Sequence, residues 1–184
     1  MKAGILKTSF VLLLLCAVCG GAVASIWALA SPKIAANREK EVQEAILSVY
    51  PESEQMNVQE LSGEGVEKFE HFFYYTDPQS GEGRAYAAIL SPKGFQDIIR
   101  MCVVTDEKGV ILGVKVLSAS ETPGVGDRAC SDSYLQGYRN LSGPLRFGDG
   151  IDAISGATVS SRTVLQAVND VSLAVQEQIE KGEG

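Results

Sequence analysis

Thr8 to Ala30 is an unbroken run of uncharged, mostly apolar residues. A helix that crosses a bilayer needs about 20 such residues, so the pattern predicts a transmembrane helix. Trp27 lies near its far end, where an interfacial aromatic is common. Beyond it the spacing changes. Ile34, Val42, Ala45, Ile46 and Val49 make an apolar stripe with charged residues opposite, and Pro51 follows. This predicts a second helix, Pro32 to Val49, leaving the membrane. Glu52 to Gly65 is polar, has no clear period, and reads as a loop. Lys68 to Thr76 is rich in aromatics and suits a strand. Asp77-Pro78-Gln79-Ser80-Gly81 is a turn signal, and Arg84 to Leu90 alternates as the next strand. Ser91-Pro92-Lys93-Gly94 turns again. Ile98 to Thr105 and Val110 to Leu117 are strands joined by the hairpin-type Asp106-Glu107-Lys108-Gly109. Cys130 to Tyr138 reads as a short helix. Val159, Val164, Leu165, Val168, Val171, Val175 and Ile179 set a closing helix from Thr158 onward. Successive hairpins imply an antiparallel sheet. The fold class is therefore α+β: one N-terminal transmembrane helix (residues 1–31), then a single domain (residues 32–184) whose antiparallel sheet is flanked by helices.

The apolar segment has a rival reading. Lys2 and Lys7 would be the n-region of a signal peptide and Phe10 to Cys19 its h-region. Ala22-Val23-Ala24 and Ala28-Leu29-Ala30 both match an A-x-A cleavage site. As an anchor, Lys2 and Lys7 favour N-in and C-out, a weak bias because Lys33, Arg38 and Lys40 flank the other end. Both readings take the domain out of the cytoplasm.

Charge narrows the partners. The chain has 16 Lys and Arg, 23 Asp and Glu, and a net charge of −7. Only Lys2 and Lys7 fall in the first 31 residues, so the domain carries 14 basic against 23 acidic side chains. An acidic domain argues against nucleic acid and against adhesion to anionic lipid. Cys16 and Cys19 lie in the apolar segment and read as small apolar side chains. An oxidising compartment permits a disulfide between Cys102 and Cys130. The alternative is one buried thiol in a strand and one near a loop. No Cys₄ or Cys/His cluster is present, so no metal site is expected. No paired carboxylates, nucleophile elbow or phosphate-binding glycine loop appears, and no catalytic residue is assigned.

The chemistry centres on Asp152-Ala153-Ile154-Ser155-Gly156-Ala157-Thr158. This is a small-residue turn ending in a hydroxyl at a helix N-terminus, where unpaired N–H groups and the dipole favour an anion. Gly156 and Ala157 let a phosphate approach the backbone. Ser160 and Ser161 can cap the helix or donate to phosphate oxygens. The bland alternative is an N-cap turn and nothing more. A Thr hydroxyl is a poor nucleophile, and no His lies nearby in sequence, since His71 is the only one. Modification by another enzyme is thus expected rather than self-catalysis. A second loop, Glu121-Thr122-Pro123-Gly124-Val125-Gly126, suits a type II turn. Tyr134, Tyr138 and Phe147 could stack on a planar ligand or serve the core. Lys115 reads as an exposed strand residue or an electrostatic partner for a ring.

The D-x-x-S-G-A-T pattern ending at Thr158 resembles the flavinylation motif of the FMN-binding domain family. The loop Glu121–Gly126 resembles that family's E-T-P-G-L-G segment, with Val125 where Leu is usual. The resemblance runs from about Phe95 to Val168. It implies FMN joined to Thr158 through a phosphoester made by a dedicated flavin transferase, which would make the chain a phosphoprotein. It also implies a cofactor site of Asp152, Ser155, Gly156, Ala157, Thr158, Ser160 and Ser161 with Glu121, Thr122, Gly124 and Gly126. The single apolar segment and short length are more similar to the G subunits of Rnf electron-transport complexes than to the longer C subunits of sodium-pumping NADH:quinone reductases. The implied function is electron relay in a ferredoxin:NAD oxidoreductase complex coupled to ion transport. Its partners would be the other membrane and peripheral subunits. Its place would be a bacterial or archaeal cell membrane, single-pass, with the C-terminal domain on the extracytoplasmic side. A flavin-free assembly subunit and a secreted flavoprotein reductase are the competing readings.

Overall fold

A computed structural model describes residues 2–63 and 65–182, apart from the side chains of residues 2–8, Arg84 and Gly182. The Lys2 and Lys7 side chains, on which the orientation argument rests, lie outside these. Residues 1–41 and 42–184 form two compact units. The two helices expected on either side of Pro32 are one, α1 (Lys2–Val49), with Pro32 inside it. In the first unit the apolar side chains from Phe10 to Leu29 are exposed. The segment Ser9–Val49 contains an 18-residue window of mean hydropathy 2.4 and is long and apolar enough to cross a membrane, a property a signal sequence shares.

The second unit is built on a five-stranded antiparallel meander in the order β1-β2-β3-β4-β5. The strands are β1 (Asn57–Glu60), β2 (His71–Thr76), β3 (Gly83–Leu90), β4 (Ile99–Asp106) and β5 (Ile111–Ala119). The expected hairpins are present, and their turns are closed by the residues that signal them. Asp77 Oδ1 accepts from the Gln79 and Ser80 amides, and Asp106 Oδ1 from those of Lys108 and Val110. Gly81 and Gly109 take φ of +72° and +78°, the left-handed region a Cβ disfavours. β1 corrects the loop expected over Glu52–Gly65. It is an edge strand paired only with β2, and all four of its residues are exposed. No buried face imposes alternation on it, so its sequence carries no strand period.

Both faces of the sheet are covered. Ala85, Ala87, Ile89, Cys102 and Val104 point to one side and pack with Val42, Ala45 and Ile46 of α1. Tyr86, Ala88, Leu90, Met101 and Val103 point to the other and pack with Val164, Val168, Val171 and Val175 of α3 (Thr158–Gly182). This is why β4 is buried at nearly every position: alternation sorts its side chains between two cores rather than between core and water. Between β5 and α3 the chain makes short helical turns, including α2 (Asp132–Leu135), held by the buried Leu135, Tyr138, Leu145 and Ile151. All four cysteines are free thiols. Cys102 is fully buried, which pushes its thiol up to about 12.

Candidate functional site

The turn before α3 is fixed by bonds that its own residues supply. The Ala157 amide donates to Ile154 O at 2.9 Å, with Gly156 at φ +82°. Ser161 Oγ donates to Ala157 O at 2.9 Å and accepts from the Ile154 amide at 3.2 Å, locking the turn onto the first helical turn. Ser161 is fully buried, so its hydroxyl serves this lock, one of the two uses its position allowed. Thr158 begins the helix and is exposed. The first N–H groups of a helix have no intrahelical acceptor, and the first turn of α3 holds no acidic residue. An anion at Thr158 is therefore electrostatically favoured.

The second turn is the type II turn that Pro123-Gly124 signals. The Val125 amide donates to Thr122 O at 3.1 Å and Gly124 sits at φ +74°. Glu121 ties this turn to the helix. Its Oε2 accepts from Ser160 Oγ at 2.6 Å and its Oε1 from the Gln96 amide at 3.2 Å. Glu121 and Ser160 are 7% and 1% exposed. A Cβ at Gly126 would lie 2.5 Å from Glu121 Oε2, and one at Gly94 would meet Oε1. Both glycines thus leave room for a carboxylate of the protein itself, whereas the resemblance implies a cofactor-binding role for Gly126. Thr122 Oγ1 donates to Gln96 Oε1 at 3.1 Å. Three segments (94–96, 121–126 and the start of α3) are clasped around one buried acid.

Between the two turns lies a cleft of about 180 Å³ whose lining includes Thr122, Gly126, Gly156, Ala157, Thr158 and Ser160. Its remaining walls are apolar and open to water: Phe95 is 67% exposed, Val125 42% and Val159 48%. Val159 reads in sequence as part of the core stripe of α3. The structure turns it outward, because the inward stripe begins at Val164. Gly124 faces a neighbouring depression with Asp127, Arg128 and Tyr134. Asp152 and Ser155 lie at the turn's outer side, and Asp152 O accepts from Tyr134 Oη at 3.0 Å. Cys130 follows the second turn. Its half-buried thiol is raised to about 11 by burial first, then by the negative charges of Glu121 and Asp127.

Other candidates fall away from the cleft. Tyr138 is fully buried and meets Tyr134 edge-on, and Phe147 packs against the core. Lys115 is paired with Asp132 at 2.8 Å. His71 Nδ1 is 2.6 Å from Glu60 Oε1 across the β1–β2 pair. Among the described residues no three His, Cys, Asp or Glu side chains cluster to hold a metal ion. Phe95 is a cleft residue that the sequence does not single out. Its one signal is that of an isolated aromatic directly after Ser91-Pro92-Lys93-Gly94, outside any periodic stretch.

These features suit an anionic ligand with a planar apolar part, attached or held at its anionic end. An exposed threonine sits at the positive end of a 25-residue helix, small residues clear the approach, and apolar side chains line the cleft. Residues 94–172, which contain both turns, Phe95 and Thr158, match the FMN-binding domain family. The same chain is 30% identical to the G subunit of the ion-translocating oxidoreductase complex of Haemophilus influenzae over 162 residues, 77% of this chain and 76% of that protein. It is 27% identical to the corresponding G subunit of Shewanella loihica over 188 residues, 91% of this chain and 88% of that one. The chain belongs to the family formed by the G subunits of ion-translocating oxidoreductase complexes. A crystal structure of Shewanella oneidensis NqrC aligns at TM-score 0.48 and 21% identity, covering 67% of this chain and 69% of that one, a likeness too slight to carry an argument.

Proposed function

We propose that this chain is the membrane-anchored electron-transfer subunit of an Rnf-type ion-translocating oxidoreductase complex, with FMN joined to Thr158 as a phosphoester. The observation that carries the reading is Thr158: exposed, at the start of α3, and lining the cleft between the two turns of the matched span. Bound FMN supplies reversible electron transfer; the protein's residues bind it, orient it and limit its contact with water. Thr158 would hold the phosphate, aided by the free N–H groups of the helix start. Gly156 and Ala157 would clear the approach. Gly126, Thr122 and Ser160 shape the cleft from its other side, while Ser161 and Glu121 hold the backbone that shapes it.

No base stands beside Thr158 in sequence, and His71 is hydrogen-bonded to Glu60 on the sheet. This supports attachment by a separate flavin transferase rather than by the chain itself. Thr158 Oγ would take the flavin phosphate from a donor in which that phosphate is held as a phosphoanhydride: the Oγ–P bond would form as the P–O anhydride bond breaks, the rest of the donor would leave as a phosphate, and the hydroxyl proton would pass to the transferase. A covalent tether suits a domain on the extracytoplasmic side, where a flavin that dissociated would be diluted away. Residues 1–31 would anchor residues 32–184 there, beside the other subunits. The test is flavin fluorescence in a denaturing gel after co-expression with a flavin transferase. The wild type should give a fluorescent band and Thr158→Ala a dark one. A dark wild type, with the transferase active on a control substrate, would leave a flavin-free assembly subunit whose motif is a helix cap.

A further inference from the structure

The cleft is smaller than the ligand proposed for it. Pockets that bury a drug-sized ligand run from about 300 to 1,000 Å³, against about 180 Å³ here. The phosphate end and its chain would fill such a space, leaving the flat ring to lie across one rim. One rim carries a large aromatic that has no role in the core. Phe95 is 67% exposed, yet its backbone is not a loose loop tip. The Gly94 amide donates to Asp97 O at 2.8 Å, the Gln96 amide to the buried Glu121, and Thr122 Oγ1 to the Gln96 side chain. The turn is pinned on both sides of Phe95, so the ring is presented to water from a fixed base.

We propose that Phe95 is the platform on which the isoalloxazine ring of the flavin rests, with Val125 and Val159 completing an apolar seat. The inference rests on the flavin assignment at Thr158 and adds the residue that positions the ring. A ring seated on one aromatic face buries apolar area on both partners, and offset stacking adds to that gain. The other aromatics near the site are committed elsewhere. Tyr138 is in the core, and Tyr134 is held by its hydroxyl to Asp152 O and by its edge contact to Tyr138. Phe is also a suitable platform chemically. Unlike Tyr or Trp it is not readily oxidised, so it can support a flavin without exchanging electrons with it.

That last property gives the test. In the full chain in detergent, co-expressed with a flavin transferase, Phe95→Trp places an electron-donating indole at the seat. Native flavin fluorescence should fall several-fold and recover on denaturation, with intact mass showing FMN still attached. Phe95→Ala should keep the attached mass and the tyrosine near-UV circular dichroism of the wild type, while flavin fluorescence anisotropy falls as the tethered ring swings free. Unchanged native fluorescence in Phe95→Trp, or unchanged anisotropy in Phe95→Ala, overturns the seat. So does a brightening in Tyr134→Phe, which would put the ring over the neighbouring depression. A wild type carrying no FMN mass overturns the attachment instead, and so separates the two failures.

Discussion

The bond between Ser160 and Glu121 should be worth more than any other single polar contact at the cleft, and a double-mutant cycle can isolate it. Ser160 Oγ donates to Glu121 Oε2 at 2.6 Å with both residues buried. A hydrogen bond to a charged group contributes about 1.5–3 kcal/mol, so the coupling energy of Glu121→Ala with Ser160→Ala should fall in that range. The single Glu121→Ala change also strands the Ser160 hydroxyl and the Gln96 amide. Against this, it removes a carboxylate whose desolvation opposes folding. The net loss should be about 2–4 kcal/mol. Glu121→Gln keeps the shape and one acceptor, and the Ser160 hydroxyl can rotate to accept from the new amide, so its loss should stay below about 1.5 kcal/mol. Urea unfolding in detergent, followed by near-UV circular dichroism, reads the domain selectively. All six tyrosines lie between Tyr50 and Tyr138, while the one tryptophan is Trp27. A coupling energy under about 0.5 kcal/mol would refute the clasp and return Glu121 to the role of a ligand-facing acid.

Further outcomes follow from the same geometry. Thr158→Ala should leave urea unfolding of the domain within about 0.5 kcal/mol of wild type, because the residue is exposed; a larger loss would mean that its hydroxyl is structural. Gly126→Ala, crowded by Glu121 and by Ser160 Oγ at 3.1 Å, should cost about 1–3 kcal/mol and lower flavin attachment by moving the turn. Gly124→Val meets open space but forces a branched side chain to φ +74°. It should loosen the ring's seat while attachment, read by intact mass, persists. Cys130 titrates near 11 rather than near the usual thiol value of 9.0. Its alkylation by iodoacetamide should therefore still climb as pH rises from about 9 to about 11, and an early plateau would contradict the burial. The sign for stability is the reverse. The unfolded thiol ionises first, so this group's contribution is complete below the unfolded value of 9.0 and is lost as pH rises towards 11.

The parts of this molecule that could be read from the chain are those where one residue type has one physical reason to be there. Asp77, Gly81, Asp106 and Gly109 mark their turns because side-chain acceptors and left-handed backbone leave few alternatives. The period from Val164 to Val175 is the buried face of α3 and nothing else. Direction is less legible. Nothing in E-T-P-G-V-G says whether Glu121 points at a ligand or into the protein, and only the glycines at 94 and 126, which lie far apart in sequence, reveal that it points in. Ser160 and Ser161 both read as candidate phosphate donors, yet helix rotation buries both hydroxyls and leaves Thr158 outside. Tyr138 is buried and Phe95 exposed for the same reason: exposure depends on contacts that sequence spacing does not encode.

The edge strand β1 bears on how many of these chains can share a surface. A chain held by one helix in a membrane meets its neighbours in two dimensions and at high local density. There an open strand edge invites pairing with the next copy. Here the sheet ends in four exposed residues, Asn57, Val58, Gln59 and Glu60, of which one is apolar. Such a short polar edge offers a poor template for a sixth strand. The lack of pattern that hides β1 in the sequence thus also makes it a poor edge for pairing with another copy.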